Sequence, residues 1–432
     1  MIERIRKICA GLEEVSAWKM NITQKQSSEL FFVGKKLETN RAADTTAYQL
    51  TIYVDGADTR GAAVFPVYPF MSDEELQTRI KENIYAAHFA MNPWYAIPKS
   101  AGESIPESSS NIRNMSLKEA AEKVADAIFK ADVYEGGYLS ATEIFIEKTL
   151  NHIVNSEGVD IQSVTFGGQA ELIPSWEKSG EEVEVYHMLK FESVDEAELT
   201  AQVDEQLRIA AGRFVAKPLN EVINVSCPPK VIIQDEEVGE IFRYFADDLD
   251  YSTKYQKANK FELNENVQGD SVTGTSLTLT MKPYVKDAFN SSFFDNDGVI
   301  LKPVTLVCNG IAVNRKGSYR FGFYLGEKEP AGQIPVLTVE PGTKSFAEMA
   351  AEPYLRCKVF SGIQVEPNSG YFGGEVRLGY YFDGEKEIPV TGFSVSGDMN
   401  VSRGSMVYSS DVITTDAYSG PKYLEIKDMK LA

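Results

Sequence analysis

The sequence predicts an α+β protein in two parts. Residues 1–215 should form an N-terminal antiparallel sheet with packed helices, and residues 216–432 a mainly antiparallel β domain. Three observations carry this. Before residue 215, three strand-like stretches followed by a capped helix occur twice. After residue 270, most apolar stretches are short, rich in β-branched or aromatic residues, and bounded by Gly, Asp-Gly or Pro turns. Between the two lies one strand–helix unit, residues 230–249, around which the second part is organised.

Taken in order, residues 1–10 alternate charged and apolar side chains as an amphipathic helix does, without the apolar core of a signal peptide. Residues 29–38 and 46–54 have strand composition, Asp55-Gly56 supplies a turn, and 60–67 a third strand. Ser72-Asp-Glu-Glu75 is a capping box opening a helix with Leu76, Ile80 and Ile84 on one face. The Pro-, Ser- and Asn-rich stretch 93–114 reads as a surface loop, and Ser116-Leu-Lys-Glu119 starts a helix through about residue 130. Residues 142–154, 159–168 and 182–192 then read as strands, with Asn155-Ser-Glu-Gly158 as a turn. Ser193-Val-Asp-Glu196 is expected to cap a helix carrying Leu199, Val203 and Leu207. Three strands and a helix, twice over, suggest an internal structural repeat.

Prolines around 215–229 stop the helical pattern, and the domain boundary is placed there. Val231-Ile232-Ile233 reads as a buried strand. Asp235 follows as an N-cap, with Glu236, Glu237 and Glu240 suited to the positive end of a helix. Val238, Ile241, Phe242, Phe245 and Leu249 share one apolar helix face. Beyond it, 271–282, 300–314, 318–325, 333–340, 355–365, 371–382, 387–396 and 421–430 are strand candidates, and only 344–351 reads as helical.

Composition limits what such a chain does. A net charge of −20 opposes contact with a phosphate backbone or an anionic membrane surface. No apolar run reaches membrane-spanning length, which points to the cytoplasm. Cys9, Cys227, Cys308 and Cys357 are scattered without a C-x-x-C pair, so neither a metal knuckle nor a disulfide framework is expected. His88, His152 and His187 all precede the proposed boundary and have no ligand spacing, so each reads as structural. A histidine-dependent site in the second part would have to borrow one across that boundary.

The second part carries a family resemblance. Ser292-Phe-Phe-Asp-Asn-Asp-Gly-Val299, followed by Thr305-Leu-Val-Cys-Asn-Gly310, resembles the S-x-F-D-x-x-G-V … L-I-x-x-G run of the TldD/PmbA (TldD/TldE) family, whose members have also been called modulators of DNA gyrase. Ser369-Gly-Tyr-Phe-Gly-Gly-Glu-Val376, Tyr380-Tyr-Phe-Asp-Gly384 and Glu387-Ile-Pro-Val390 are similar to its next segment, and Thr391-Gly-Phe-Ser-Val-Ser-Gly-Asp-Met-Asn400 to the strand after it. The ending, Ser419-Gly-Pro-Lys-Tyr-Leu-Glu-Ile-Lys-Asp-Met-Lys430, matches the closing strand, and residues 76–93 resemble the family's first N-terminal helix.

The resemblance implies one of two branches. In the TldD branch, H-E-x-x-x-H on the organising helix holds zinc, with two imidazoles as ligands and the glutamate as base. Here Arg243, Tyr244 and Asp248 stand at the His, Glu and His positions, and Thr414–Pro421 stands where the catalytic branch has a Cys-Gly-Lys-type segment. A guanidinium is no zinc ligand and a phenol is a poor base near neutral pH. The chain therefore resembles the PmbA/TldE branch, which lacks the metal motif, with zinc expected only in a partner subunit. The function expected is a non-catalytic subunit, inactive alone, that pairs with a TldD-like peptidase acting on unfolded or extended peptides in proteolysis or maturation. The alternatives are a peptidase in its own right with an unrecognised or carboxylate-held site, and a stand-alone homodimeric peptide-binding protein. A dimer with a paralogue or a second copy is expected, with a peptide substrate and without direct contact to nucleic acid or membrane.

Other features have plainer readings. Asp295-Asn-Asp-Gly298 is a β-turn rather than a calcium loop, because Phe293 and Val304 fall where the required carboxylates belong. Asp247-Asp248-Leu-Asp250 reads as a solvated helix end, with a partner-facing or weak cation site as the alternative. Arg243 reads as pairing with Asp247 one turn on, with a substrate-facing charge as the alternative. The aromatic stretches 319–324 and 380–382 suggest sheet core or interface, and Gly373-Gly374 a bulge.

Overall fold

The computed structural model describes residues 1–432 apart from Ala101, Glu103 and Cys227. The first two belong to the expected 93–114 loop and the third is one of the four scattered cysteines; all three lie outside the described residues.

Long hairpins build the first sheet. β1 (Ala17–Val33) and β2 (Lys36–Asp55) pair along their whole length, followed by β3 (Thr59–Val67) and β4 (Met91–Pro93). β5 (Gly137–Asn155) and β6 (Asp160–Lys178) form the second hairpin, with β7 (Glu181–Glu184) and β8 (His187–Phe191) both on β6. β1 and β5 pair antiparallel at the centre, giving the order β4-β3-β2-β1-β5-β6-β7. Helices α1 (Ile2–Ala10) and α2 (Asp73–Ala87) close a core with Ile5, Leu50, Ile52, Leu76 and Ile80. Helices α3 (Leu117–Ala131) and α4 (Glu196–Val215) close another with Val124, Ile128, Ile144, Val203 and Leu207. Each such side chain contributes about 1.5–3 kcal/mol on burial. A helix, a long hairpin with shorter strands, and a second helix thus occur twice, with three strands in the first unit and four in the second, one unit on each side of the β1–β5 seam.

Several local expectations are corrected. The stretch 29–38 is not one strand: Gly34, at φ +55°, turns the chain between β1 and β2. β1 also begins at Ala17, where Trp18, Met20 and Ile22 alternate with Lys19, Asn21 and Thr23 ahead of the polar run 23–28. The stretch 182–192 breaks at Val185–Tyr186 into β7 and β8. Helix α4 is capped by Asp195, which accepts from the N–H groups of Ala197 and Glu198, while Ser193 Oγ accepts from Asn111 N–H. Ser72 and Glu75 do form the capping box of α2.

The second half joins a nine-stranded and a six-stranded sheet. The former contains strands Lys230–Gln234, Tyr354–Val365, Tyr371–Phe382, Glu387–Thr391, Phe393–Asp398 and Tyr423–Ile426; the latter contains Leu279–Lys282, Val304–Cys308, Val336–Val339 and Tyr418–Pro421. Of 271–282 only the end is strand. The stretch 387–396 divides at Gly392 (φ +70°), and 421–430 divides as the chain crosses between sheets at Lys422. Residues 318–325 are not a strand: Tyr319–Tyr324 is a helix whose Gly322 lies against Pro330. Its Phe323 and Tyr324 pack edge-on to Trp94 and Tyr95 of the first half. With aromatics on every side, this segment had no period from which to tell helix from strand.

Helix α5 (Glu236–Asp248) packs between the two sheets. The expected face of Val238, Ile241, Phe242, Phe245 and Leu249 is buried, but so are Glu237, Gly239, Tyr244, Ala246 and Asp248. Gly239 is required here, since a Cβ on it would lie 2.7 Å from Cγ of Tyr418. No helix among the described residues is long and apolar enough to cross a membrane.

Candidate functional site

Only four residues of α5 escape full burial: Glu236, Glu240, Arg243 and Asp247. They lie at i, i+4, i+7 and i+11, one stripe along the helix. This stripe faces a cleft with two lobes of about 1000 and 990 Å³, which meet at Glu240 and Arg243. The lobe at the C-terminal end of α5 is walled by Glu366, Tyr371 and Glu375. The lobe at the N-terminal end takes His187 and Lys190 from β8, Glu205 from α4, and Asp235, Lys358 and Asp416 from the second half.

A strand edge runs through both lobes. Strand Tyr354–Val365 pairs with Lys230–Gln234 only as far as Cys357. Beyond it, on the side away from strand Tyr371–Phe382, residues 358–365 have no strand partner among the described residues. Such an edge presents backbone donors and acceptors to an incoming extended chain.

The residues matched to the metal motif have other occupations. Arg243 Nε lies 3.4 Å from Glu240, one turn back, so the pairing with Asp247 is corrected. Tyr244 is buried, and its hydroxyl accepts from Lys260 Nζ at 3.0 Å, with that ammonium 4.9 Å from the ring centroid. Asp248 is buried and accepts from the N–H groups of Lys260 and Phe261 at 2.7 and 2.9 Å. Burial raises the Asp248 pKa, opposed by these two bonds. Asp250 is buried too, holding Ser252 and, at 3.0 Å, Lys316. The expected solvated helix end is therefore wrong for Asp248 and Asp250, whose carboxylates pin following loops; only Asp247 is exposed.

These residues do not fit a zinc ion. Arg243 offers no lone pair, and Tyr244 and Asp248 are turned into the fold. Among the described residues, no three His, Cys, Asp or Glu side chains converge as a metal site requires.

The N-terminal lobe holds what the sequence did not single out. Asp235 stands at the N-cap position as expected, but its φ is +64° and its carboxylate makes no cap bond. It accepts instead from Lys358 at 2.5 Å and Gln234 at 3.0 Å. Lys358 also reaches Glu205 at 3.1 Å, tying α4 to the second half. Glu237, expected as a solvated charge near the helix end, is 8% exposed; burial first, and Glu236 second, push its carboxyl up to about 8. His187 does cross the boundary to reach the cleft, and burial lowers its pKa to about 4, leaving it neutral near pH 7. His152 pairs with Asp160 at 2.7 Å and His88 caps the end of α2, both outside the cleft. Only the acidic run 235–237 could have pointed to this lobe, and helix-end electrostatics accounted for it equally well.

The turn at Asp295 joins the halves. Asp295 accepts from the N–H groups of Asp297 and Val299, and Gly298 has φ +88°. Lys19 of β1 then donates to Asn296 O at 2.8 Å and to Asp297 at 2.7 Å.

Comparison with known proteins agrees with this architecture. Residues 226–432 match the family model described as PmbA/TldA metallopeptidase C-terminal domain. The whole chain superposes on TldE from Thermococcus kodakarensis, with TM-score 0.78, 12% identity, and 100% of this chain and 99% of that one covered. It also superposes on proposed DNA gyrase modulators from Thermotoga maritima (TM-score 0.77, 16% identity, 100% of each chain) and Bacteroides thetaiotaomicron (0.79, 15%, 100% and 98%). At such identities these likenesses concern the fold. No curated protein matches the chain in sequence. Residues 226–432 thus belong to the PmbA/TldD metallopeptidase-related family, and the whole chain shares its fold with the solved structures named above.

Proposed function

We propose that this chain is a non-catalytic subunit of the PmbA/TldE kind, working in the cytoplasm as a dimer with a zinc-bearing TldD-like partner. It holds an extended peptide for that partner to cleave. One observation carries the reading: the cleft keeps an unpaired strand edge beside α5, while the positions matched to the metal motif hold a guanidinium, a lysine-bonded phenol and a carboxylate engaged by two backbone N–H groups. Main-chain pairing demands little of a peptide's sequence, which suits unfolded substrates. Peptide hydrolysis requires an activated water or nucleophile, and the α5 stripe of Glu236, Glu240, Arg243 and Asp247 supplies neither a metal-bound water nor a His-paired Ser or Cys.

The test assays an unstructured peptide with this chain alone, with a TldD-like partner, and with that partner plus Arg243→Ala. Cleavage should occur only in mixtures, stop on chelation, and fall with Arg243→Ala while the protein stays folded. Chelator-insensitive cleavage by the lone chain, co-purifying with it through chromatography, would establish instead a peptidase in its own right. Light scattering checks the assembly, and a monomer at micromolar concentration with the partner present would refute it.

A further inference from the structure

Glu237 is the most deeply buried acid in the N-terminal lobe, 8% exposed at its floor. Among the described residues, no other residue's donor comes within hydrogen-bond or ion-pair distance of its carboxylate. The charged groups facing it come from two elements. Asp235 and Glu236 precede it on its own segment, and Lys358 and the buried Cys357 thiol lie on strand Tyr354–Val365. Lys358 is already committed to Asp235 at 2.5 Å and Glu205 at 3.1 Å. Lys190, elsewhere in the lobe, is committed to Asp416 at 2.5 Å. The lobe's lysines, with Lys422 at 3.7 Å from Asp235, are thus matched by carboxylates, and the acids of the first α5 turn left without a basic partner among the described residues are Glu236 and Glu237.

We propose that this lobe is a recognition site for a primary ammonium group carried by a peptide, with Glu237 as its counter-charge and Glu236 beside it. The proposal rests on the peptide-holding reading above. A compact ammonium reaches the buried carboxylate, and its three N–H donors satisfy the acceptors that the protein leaves unfilled. A metal ion fits less well, because two adjacent carboxylates are no ligand set and no third donor converges with them. The lobe's volume of about 990 Å³ admits a peptide end with several residues behind it. From Glu237 to Arg243 is about 9 Å along the helix, the span of roughly three extended residues, so an ammonium held here places the third residue over Arg243.

The binding step has a proton balance of its own. Near pH 7 the isolated Glu237 carboxyl is largely protonated, since burial pushes it up to about 8. An arriving ammonium stabilises the carboxylate, so the carboxyl proton leaves to solvent as the ion pair forms.

The experiment is calorimetry at pH 7 on the full chain in two buffers of different ionisation enthalpy. Three unstructured hexapeptides of Ala, Ser and Gly are compared: one with a free N-terminus, one N-acetylated, and one N-acetylated with a single lysine. At least one amine-bearing peptide should bind roughly tenfold tighter than the acetylated, lysine-free one. It should release close to one proton as it does so, by linkage to Glu237. Whichever amine binds tighter identifies the source as an α-ammonium or a lysine. Glu237→Gln should abolish both the preference and the proton release while retaining the acetylated peptide's affinity. Equal affinity for all three peptides, a preference without proton release, or a preference kept in Glu237→Gln would overturn the ammonium site and leave peptide holding intact. No binding of any peptide would overturn both.

Discussion

Replacing Glu237 by Gln removes one ionisable group from the floor of the cleft with almost no change of shape, and its consequence has a definite sign. The folded-state carboxyl titrates near 8, against an ordinary value of 4.5. A carboxyl raised on folding contributes stability that is full below 4.5 and is lost as pH rises toward 8, because the unfolded chain ionises freely while the folded one resists. At 1.36 kcal/mol per pH unit, wild type loses about 2.5 kcal/mol on this account between pH 6 and 9, with most of the fall complete by pH 8. The neutral amide loses none. Urea midpoints of both proteins, measured from pH 6 to 9 and so clear of the isoelectric region near 4.8, should lie closest at pH 6 and draw apart toward pH 9, with Glu237→Gln gaining relative stability throughout. All other titrating groups are shared and cancel in the difference. Parallel profiles would show that Glu237 ionises like a solvated glutamate and would refute its burial without a partner.

Asp248→Ala strands one buried and one half-buried N–H group and should lower stability by about 2–4 kcal/mol in urea unfolding; a loss below about 0.5 kcal/mol would return Asp248 to the list of free site residues. Gly239→Ala sets a methyl 2.7 Å from the Tyr418 ring and should cost about 1–3 kcal/mol by displacing α5, seen as a lowered midpoint and weakened peptide binding. Lys19→Met removes the donor to Asn296 O and Asp297. It should speed amide exchange in the 295–299 turn while leaving the β1–β5 pairing protected, as hydrogen exchange would report.

How much the sequence revealed depended on whether the responsible physics was local. The Ser72 and Ser116 caps, the α5 apolar face and the strands at 355–365 and 371–382 follow from patterns a few residues long, and each forms where expected. The first strand is harder to read before residue 29 because the polar run Thr23–Ser28 interrupts the alternation of Trp18, Met20 and Ile22, and its second partner, β5, lies more than 100 residues away. Helix Tyr319–Tyr324 was misread because its aromatics are placed by Trp94 and Tyr95, more than 220 residues earlier. The same holds at the site. Spacing located α5 and the positions Arg243, Tyr244 and Asp248, yet Glu237 looked like any acid in a first helical turn. Its surroundings are set by strand Tyr354–Val365, which brings Cys357 and Lys358 to face it from more than 100 residues away.

The fates of Tyr244 and Asp248 show where substrate contact on this helix is confined. Both side chains hold residues 260–261 against α5, through Lys260 Nζ and two backbone N–H groups, so each now serves the packing beneath the cleft. The inward apolar residues fill the space between the two sheets, and a change at any of them alters function through the fold. Contact with a bound chain therefore falls to Glu236, Glu240, Arg243 and Asp247 along the exposed stripe, and to Glu237 at the floor of the N-terminal lobe. Of these, Glu240 and Arg243 alone border both lobes, and their 3.4 Å pairing is long and half-exposed, worth little to stability. A weak pair at the junction of two lobes can open without cost to the fold. It then leaves Arg243 free for a carbonyl of an extended peptide and Glu240 for a donor, the adaptable contact that main-chain holding on the neighbouring strand edge requires.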